Sequence, residues 1–589
     1  MALTPVVLAL TSSPVARQVA EALGVPLHGL AGRAEAEITF EDAMEHVRAL
    51  FAAGVPVVGV CAAGILIRAV APLLGDKRAE PPVVAVAQDG SAVVPLLGGH
   101  RGANALARRV AEALGVRAAV TTAGDAAWGL ALDEPPEGWR LAEPERAGPV
   151  MARLLAGEGA RVEGEAPWLD ALPRGEGVAV AATMASAPGA DLRFAPQRVT
   201  LGVGASRGCP PEELKALVRA ALEEARVAPE AVAAVGTLDL KADEPAILDL
   251  ARGLGAPLRL FAAEELEREA HRLATPSGTV FAEVGCHGVS EGAALALAGA
   301  EGRLVVPKRK SRNATCALAL APEPVTSLAG RPRGRLSVVG IGPGQAAWRT
   351  PEVSRLVAEA EELVGYGLYL DLLGPLAAGK PRADFPLGGE EDRCRYALER
   401  AGEGRDVALV CSGDAGIYAM AALVFELLDR PGGVSDAARR VEVVVSPGIS
   451  ALQAAAARAG APLGHDFCAV SLSDLLTPRE DILRRLQAAA EGDFVVALYN
   501  PVSRTRRMLL GEARDILLRH RPAETPVLLA SNLGRPQERL AYRRLDALSV
   551  DEVDMLTVVL IGSSQSRIVE RGEGPRLYTP RGYARKVTA

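Results

Sequence analysis

The chain of 589 residues has few aromatic residues, no closely paired cysteines and no long apolar run. Aromatic residues make up 4%, so the stacking platforms that bind single-stranded nucleic acid are not expected. The net charge of −7 offers no basic surface for nucleic acid either. None of the seven cysteines forms a C-x-x-C pair, which argues against a structural zinc site or a disulfide framework. We therefore expect a cytoplasmic protein with no metal site.

Membrane segments are absent from the sequence pattern as well. No stretch of about 18 uninterrupted apolar residues is present, so we expect no membrane span. The opening residues, "MALTPVVLALTSSPVARQ", lack a basic region, and their apolar run is too short for a signal segment. We therefore expect neither a leader nor a membrane partner.

Short β-branched runs alternate with longer segments of helical period along almost the whole chain. "VPVVGVC" precedes "GILIRAVAPLL", and "RVEVVVSPG" precedes "ISALQAAAARAG". Such alternation is typical of βαβ units, so we predict an α/β fold with mainly parallel sheets. The pattern breaks at 132–197, which is rich in Pro, Gly and Glu, and again at the Pro/Gly/Arg linker 321–335. The chain is therefore predicted to be a fusion of domains.

A glycine loop opens the segment after that linker, in "LSVVGIGPGQ". A dinucleotide fingerprint would need a third glycine where Gln345 stands, and Pro343 removes an N–H that pyrophosphate would use. A NAD-dependent enzyme is therefore disfavoured. A second loop, "SGDAGIYAM", adds glycines and a carboxylate that suit an adenosyl ligand, although a tight turn or an Asx turn explains either loop alone.

The segment 335–589 resembles the tetrapyrrole methylases that use S-adenosylmethionine, and most closely the branch that methylates C-17 of precorrin-3B. The resemblance rests on "VVGIGPG", "SGDAGIYAM", "SPGISALQAAAARAGAPLGHDFCAVSLSDLLTP", "GDFVVALYNPVSRTR", "VDMLTVVLIGSSQSR" and "YTPRGY", in family order. It implies two α/β subdomains, about 335–460 and 461–589, with the cofactor in the cleft between them. It also implies a tetrapyrrole substrate and a homodimer.

The resemblance assigns site residues as well. The cofactor pocket would be formed by Gly342, Pro343, Gly344, Gly413, Asp414, Ile417, Tyr418, Ala497, Leu498 and Thr557. His465 and Asp466 are candidates for acid–base work on the macrocycle, and a cap or turn contact explains them equally well. Arg504 and Arg506 are candidates to pair with the substrate's carboxylates.

The N-terminal half resembles the cobalt-precorrin-5A hydrolases, which open a lactone on the contracted macrocycle and release acetaldehyde. The matching blocks include "PLLGGHRGANALA", "LGVGASRGCPPEEL", "GTLDLKADEPAILDLA" and "FAEVGCHGVSEGAALALAG". Lactone hydrolysis needs an activated water and an oxyanion site. We expect His100 to be the base and Lys77, or the N–H groups of Gly98 and Gly99, to stabilise the oxyanion. Lys241 and Glu244 are further candidates.

These resemblances predict a hydrolase N-terminal domain (1–131), a connecting region with room for one small unit (132–197), a hydrolase C-terminal domain (198–322), a linker (323–334) and the methylase (335–589). The expected function is bifunctional: C-17 methylation with ring contraction, plus lactone opening. The alternative is a methyltransferase of the aerobic, cobalt-free route whose N-terminal half carries tetrapyrrole without turnover or is a relic. The sequence leaves that choice open.

Overall fold

The computed structural model describes residues 3–76, 79–503 and 506–583. The strands form separate sheets in four successive parts of the chain, named here the first unit (3–131), the middle unit (132–197), the third unit (198–322) and the C-terminal unit (335–583). Each contains at least one sheet and at least one α-helix, which confirms the predicted α/β class. Within the described ranges, no helix combines the length and the apolar composition that a bilayer crossing requires.

The first unit is a six-stranded sheet flanked by helices. Its strands are β1 (Val6–Ala9), β2 (Leu27–Leu30), β3 (Ile38–Phe40), β4 (Val57–Val60), β5 (Val83–Val86) and β6 (Val93–Leu97). Its helices are α1 (Pro14–Leu23), α2 (Ala43–Ala52), α3 (Ala63–Val70), α4 (Ala103–Ala113) and α5 (Ala123–Trp128). The strand order is β3-β2-β1-β4-β5-β6, and β6 runs antiparallel to β5. The other pairs are parallel; a helix connects most of the consecutive strands, whereas a loop without a helix joins β2 to β3.

The middle unit, expected only as a connecting region with room for a small unit, has a four-stranded sheet. It consists of β7 (Trp139–Leu141), β8 (Ala160–Glu163), β9 (Val178–Ala182), β10 (Leu192–Pro196) and one helix, α6 (Ala147–Leu155). The strand order is β7-β10-β9-β8. Phe194 is fully buried, and the Trp168 ring meets it edge-on at 4.9 Å. Aromatic packing thus gives this Pro- and Gly-rich stretch a core of its own.

The third unit is a five-stranded sheet in the order β13-β12-β11-β15-β14. Its strands are β11 (Val199–Ala205), β12 (Val232–Leu238), β13 (Leu258–Phe261), β14 (Arg303–Lys310) and β15 (Ala314–Leu320). Its helices are α7 (Pro211–Ala225), α8 (Pro245–Leu254), α9 (Ala263–Glu267), α10 (Gly278–Val284) and α11 (Val289–Ala298). Helix α11 lies against the sheet, because Gly202 and Gly236 leave room for its backbone.

The C-terminal unit has two subdomains. The first has the parallel strands β16 (Arg335–Gly340), β17 (Glu362–Tyr366), β18 (Arg382–Phe385), β19 (Asp406–Cys411) and β20 (Glu442–Ser446), ordered β18-β17-β19-β16-β20. Its helices are α12 (Pro351–Glu359), α13 (Gly367–Asp371), α14 (Glu390–Gly402), α15 (Met420–Asp429) and α16 (Asp436–Arg439). The loops that follow β16, β19 and β20 therefore share one edge of the sheet.

The second subdomain has a five-stranded and a three-stranded sheet. Its strands are β21 (Gly460–Ala461), β22 (Phe467–Ser471), β23 (Val495–Tyr499), β24 (Pro526–Ser531), β25 (Arg539–Arg544), β26 (Thr557–Ile561), β27 (Arg567–Arg571) and β28 (Gly574–Tyr578). Its helices are α17 (Ala451–Ala459), α18 (Arg479–Glu491) and α19 (Met508–Leu518). The strand orders are β22-β23-β26-β24-β25 and β21-β28-β27.

The first unit and the C-terminal unit pack together through one apolar cluster, here called the shared core. It combines Leu50 and Phe51 of α2 with Val353 and Val357 of α12, and all four residues are buried. A Cβ built at Gly379 would lie 2.9 Å from Cγ of Pro26, so this loop of the C-terminal unit also approaches the first unit closely. The two halves are therefore joined by packing as well as by the linker.

The linker is hydrogen-bonded to both the third unit and the C-terminal unit. Arg331 exchanges backbone hydrogen bonds with Leu260 of β13 (2.8 and 2.9 Å), and its guanidinium donates to the Gly402 carbonyl of α14 (3.0 Å). Arg333 donates to the Arg440 carbonyl (2.9 Å). These contacts tie the third unit to the C-terminal unit.

Two histidines of the first unit are buried side by side. Nδ1 of His28 lies 3.0 Å from Nε2 of His46, and the Phe40 ring stacks on His46 at 4.2 Å. Burial lowers the pKa of His28 to about 4, and burial together with the neighbouring His28 lowers the pKa of His46 to about 3. Both rings are therefore neutral at pH 7.

Acid should destabilise the first unit through this pair. The unfolded chain takes up protons below about pH 6.5, whereas the folded histidines resist protonation down to pH 4 or lower. Stability contributed by the neutral pair is therefore lost as the pH falls from 6.5 to 4, by an amount on the order of 3 kcal/mol for each histidine. Urea midpoints measured across this range should fall less steeply for His28→Gln than for the wild type. Equal slopes would contradict the assignment.

Candidate active sites

Three glycine-containing loops meet at one edge of the first subdomain of the C-terminal unit. They follow β16, β19 and β20. Gly342 and Gly413 exchange backbone hydrogen bonds of 3.1 and 2.9 Å, and both have positive φ angles, 76° and 68°. These conformations favour glycine, because a Cβ is strained there. The loops that the sequence singled out are thus joined directly, backbone to backbone.

The loop after β20 contacts the other two without space for a side chain. A Cβ built at Gly448 would lie 2.1 Å from the Gly413 carbonyl oxygen and 2.4 Å from the Gly340 carbonyl oxygen. A Cβ at Gly340 would in turn lie 2.9 Å from the Gly448 nitrogen. Such contacts are closer than van der Waals packing permits. Glycine at these positions lets the three loops form one continuous backbone surface.

Asp414 connects two of these loops. Its Oδ1 accepts from the Gly416 N–H (2.8 Å), and its Oδ2 accepts from the Gly448 N–H (3.0 Å). A carboxylate has about four lone-pair sites, so both oxygens can accept further hydrogen bonds from a ligand. The three loop segments Gly340–Gly344, Gly413–Tyr418 and Ser446–Ser450 are called the cradle from here on. By bonding to two of these loops, the Asp414 carboxylate fixes the shape of the cradle.

Two side chains close the cleft between the subdomains. The Tyr418 hydroxyl donates to the Ala469 carbonyl of β22 (2.9 Å), and its ring lies 5.2 Å from the ring of Tyr499. On the other side, Nε of Arg535 donates to the Pro343 carbonyl (3.1 Å). Each contact joins one subdomain to the other, so the second subdomain is held against the loops after β16 and β19.

The N-terminal half presents a second group of polar residues, on the loop between β6 and α4. Gly98 and Gly102 have positive φ angles (74° and 92°), and Gly99–Arg101 form one turn of 3-10 helix. A Cβ at Gly98 would lie 2.7 Å from the Pro82 nitrogen. The backbone at His100 is thus held by glycine conformations, while its side chain lies outside the described part of the structure.

The third unit places Lys241 and Glu244 together after β12. Glu244 is fully buried, neither carboxylate oxygen has a hydrogen-bond partner among the residues that the structure describes, and Arg207 lies 3.8 Å from Oε2. Burial, followed by the charge of Arg207, lowers the pKa of Lys241. The two predicted residues therefore adjoin an arginine that the sequence analysis did not single out.

Comparison with protein-family models gives three matches. Residues 335–549 match the Tetrapyrrole (Corrin/Porphyrin) Methylases, 45–125 match Cobalamin synthesis G N-terminal, and 199–319 match Cobalamin synthesis G C-terminus. A Precorrin-3B C(17)-methyltransferase from Sinorhizobium sp is 49% identical over 252 residues, which are 43% of this chain and 98% of the relative. The chain belongs to the tetrapyrrole methylases. Its N-terminal half adds the two cobalamin-synthesis domains, so the protein belongs to cobalamin biosynthesis.

Further relatives align with the same part of the chain. A Cobalt-factor III methyltransferase from Priestia megaterium is 39% identical over 256 residues, 44% of this chain, and the chain spans only 46% of that relative. The solved structure of the methyltransferase CobJ has 41% identity, a TM-score of 0.39, and covers 42% of this chain and 100% of its own.

Three predicted cofactor residues of the methylase lie in strands of the second subdomain. Ala497 and Leu498 of β23 are fully buried, and Thr557 begins β26 beside the end of β23. The Thr557 hydroxyl donates to Oδ1 of Asp554 (2.6 Å) and lies 2.7 Å from the Ser531 hydroxyl. The side chains of Ala497 and Leu498 are thus packed inside the subdomain, and the Thr557 hydroxyl is hydrogen-bonded within it.

The structure does not bring His465 and Asp466 to the cradle of the methylase. They precede β22, whereas the cleft contact at Ala469 and the polar residue Ser471 lie toward the other end of that strand. Nδ1 of His465 lies 3.3 Å from Oδ2 of Asp466, and both side chains are more than half exposed. Lys77 and Arg504 lie outside the described residues.

Sequence reasoning about the methylase missed Arg535 and did not assign Tyr499. The Tyr499 hydroxyl accepts from the Leu452 N–H at the start of α17 (3.0 Å), which fixes the ring beside Tyr418. Arg535 lies in "NLGRPQER" after β24, and Gly534 lets it approach the loop at Gly344. The Gly-Arg-Pro turn directly after a buried strand is the sequence feature that could have pointed to Arg535.

Proposed function

We propose that the C-terminal unit transfers a methyl group from S-adenosylmethionine to C-17 of precorrin-3B or cobalt-factor III, with contraction of the macrocycle. The observation that carries this proposal is the cradle of glycine loops at the cleft between the subdomains. The names of the two relatives supply the substrate class. We also propose that the enzyme acts in the cytoplasm as a homodimer through this unit, as the family resemblance implies.

The residues of the cradle suit S-adenosylmethionine. Backbone N–H and carbonyl groups of three closely packed glycine loops form one surface, the rings of Tyr418 and Tyr499 offer apolar faces, and Asp414 supplies acceptors. These groups match the amino acid, adenine and ribose parts of the cofactor. The cofactor supplies a methyl group already activated on a sulfonium. The chain's own contribution is therefore to bind, align and exclude water, which account for most of the barrier reduction in such a transfer.

The substrate side of the cleft is apolar with arginine at its border. Leu475 and Leu476, after β22, and Met508, the first residue of α19, are strongly exposed. Arg506 donates to the Ser473 hydroxyl (2.8 Å), which fixes its guanidinium near these residues. A flat macrocycle with carboxylate arms is complementary to this surface. We propose Arg506 as one partner of those carboxylates.

We further propose that the N-terminal half opens the lactone of cobalt-precorrin-5A and releases acetaldehyde. The matches to the two cobalamin-synthesis domains support this proposal. In the step itself, a water oxygen forms a bond to the lactone carbonyl carbon and the ring C–O bond breaks, giving an acid and an alcohol. The alcohol then loses its O–H proton and becomes the aldehyde carbonyl as the bond between its carbon and the macrocycle breaks. The electron pair of that bond stays on the macrocycle, which takes up a proton, and acetaldehyde leaves. His100 removes the proton from that water, and the N–H groups of Gly98 and Gly99 or Lys77 stabilise the oxyanion.

Replacement of His100 tests the hydrolase assignment. We expect His100→Ala to reduce lactone opening by about 100-fold or more, because general-base catalysis typically contributes that much. Methyl transfer should be unchanged. The measurement is acetaldehyde release from cobalt-precorrin-5A by the full chain, with His271→Ala, an exposed histidine of the third unit, as control. Lactone opening at the wild-type rate in His100→Ala would show that another group is the base.

A further inference from the structure

Lysine is scarce in this chain, and one lysine differs from the others in its surroundings. The sequence has seven lysines, five of which lie in the described ranges. Lys215, Lys308 and Lys380 donate to carboxylate or carbonyl oxygens, and Lys310 is exposed. Lys241 is half-buried, and its amine makes no hydrogen bond or ion pair with any residue that the structure describes. A half-buried amine without a partner is unusual, because burying a charge is costly unless it is paired.

The backbone at Lys241 is held firmly in the third unit. Lys241 ends a turn of 3-10 helix that starts at Asp239, directly after β12. Arg207, on the loop after the neighbouring strand β11, donates to the Leu240 carbonyl (2.7 Å). Asp239 lies 3.7 Å from Arg331 of the linker. The turn is therefore fixed on two sides, while the amine that it carries is left free to react.

The charged groups around Lys241 favour the uncharged amine. Burial, followed by the charge of Arg207, lowers the pKa of Lys241. The carboxylates of Glu244 and Asp243 oppose this shift, and the more distant guanidinium of Arg440 adds to it. A lysine that is desolvated or lies next to another cation is activated as a nucleophile, because more of its amine is uncharged at neutral pH.

The same groups determine which electrophile the amine can meet. Arg207 and Arg440 are each paired with a carboxylate, so neither guanidinium is left to bind an anionic ligand. The buried carboxylate of Glu244 has no hydrogen-bond partner in the described part of the chain, and its charge repels an anion. Leu240 is 38% exposed next to Lys241 in the chain and adds apolar surface. The surroundings therefore favour a small neutral carbonyl compound.

We infer that Lys241 forms a covalent imine with a small neutral aldehyde. The amine nitrogen forms a bond to the carbonyl carbon, the C=O electron pair moves to the oxygen, and a proton passes from nitrogen to that oxygen through water. The hydroxyl of this adduct then leaves as water and the C=N bond forms, without oxidation or reduction. The proposed lactone opening supplies one such aldehyde, acetaldehyde, and for that source alone the inference rests on the proposed function.

Reductive trapping with added acetaldehyde tests the inference on the full chain. Cyanoborohydride reduces an imine to a stable secondary amine, so each reacted lysine carries an ethyl group that peptide mass spectrometry locates. Near pH 7, Lys241 should be ethylated about threefold or more faster than Lys310, although Lys310 is the more exposed. Ethylation of Lys241 at the same rate as Lys310, or more slowly, would overturn the inference.

The variant Arg207→Gln tests the cause of this reactivity. Loss of the guanidinium raises the pKa of Lys241, so its ethylation should slow and shift to higher pH, while ethylation of Lys310 stays the same. Thermal unfolding checks that the variant is folded. An unchanged rate at Lys241 in a folded Arg207→Gln chain would contradict the inference.

A second arm separates this inference from the proposed function. The wild type is incubated with cobalt-precorrin-5A in place of added acetaldehyde, and cyanoborohydride follows. If added acetaldehyde modifies Lys241 selectively but the chain releases none from cobalt-precorrin-5A, the hydrolase proposal is wrong and the reactive lysine stands. If the chain releases acetaldehyde and Lys241 reacts no faster than Lys310, the lysine assignment is wrong and the hydrolase proposal stands. Selective ethylation by added acetaldehyde alone, in a chain that also releases it, supports the lysine and assigns its aldehyde to another source.

Discussion

Gly448→Ala should reduce methyl transfer by about 100-fold or more, because a displacement of about 1 Å in an aligned site costs that much. The added Cβ would lie 2.1 and 2.4 Å from two backbone carbonyl oxygens, those of Gly413 and Gly340. Neither oxygen belongs to a flexible side chain, so the loops after β16 and β19 must move. Both loops carry proposed cofactor contacts.

The measurement is S-adenosylhomocysteine affinity by calorimetry together with the rate of methyl transfer. Gly511→Ala is the matched control: it makes the same substitution in α19, where a Cβ meets nothing within 4 Å. The control should behave as the wild type. Wild-type affinity and rate in Gly448→Ala would show that the cradle is not the cofactor site.

Leu50→Asp should destabilise both halves of the protein at once. Leu50 is 2% exposed in the shared core, and an aspartate there loses its hydration without a partner. The cost is about 4 kcal/mol, which lowers the melting temperature by roughly 10 °C. Because α2 packs on α12, and α12 follows the first glycine loop, we expect the affinity for S-adenosylhomocysteine to fall as well.

Ala52→Asp is the control for this change, since Ala52 is exposed on the same helix. It should melt as the wild type does. The readout is thermal unfolding with and without S-adenosylhomocysteine. If Leu50→Asp left the ligand-stabilised transition at its wild-type temperature, the shared core would carry no coupling between the halves.

Features set by short stretches of sequence could be predicted. The glycine loops after β-branched runs lie at strand ends as expected, and the family matches confirm the domain types that the motifs indicated. Local sequence suffices here because a buried strand followed by glycines has few alternative conformations. The same reasoning gave the α/β class.

Features that depend on distant partners could not be predicted. Arg535 meets a carbonyl 192 residues away, and the shared core joins α2 to a helix some three hundred residues later in the chain. Asp414 was expected to contact the ligand, but its partners within the chain are backbone N–H groups of two loops. The spacing of residues within a motif carries no information about such contacts.

The central claim is that the C-terminal unit methylates C-17 of a tetrapyrrole substrate and contracts its macrocycle. It is tested most directly by anaerobic incubation of the full chain with S-adenosylmethionine and, in separate reactions, cobalt-factor III or precorrin-3B. Mass spectrometry and absorbance identify the products. We predict a ring-contracted product that is heavier by one methyl group from at least one substrate. Recovery of both substrates unmethylated, by a chain that binds S-adenosylhomocysteine, would contradict the claim.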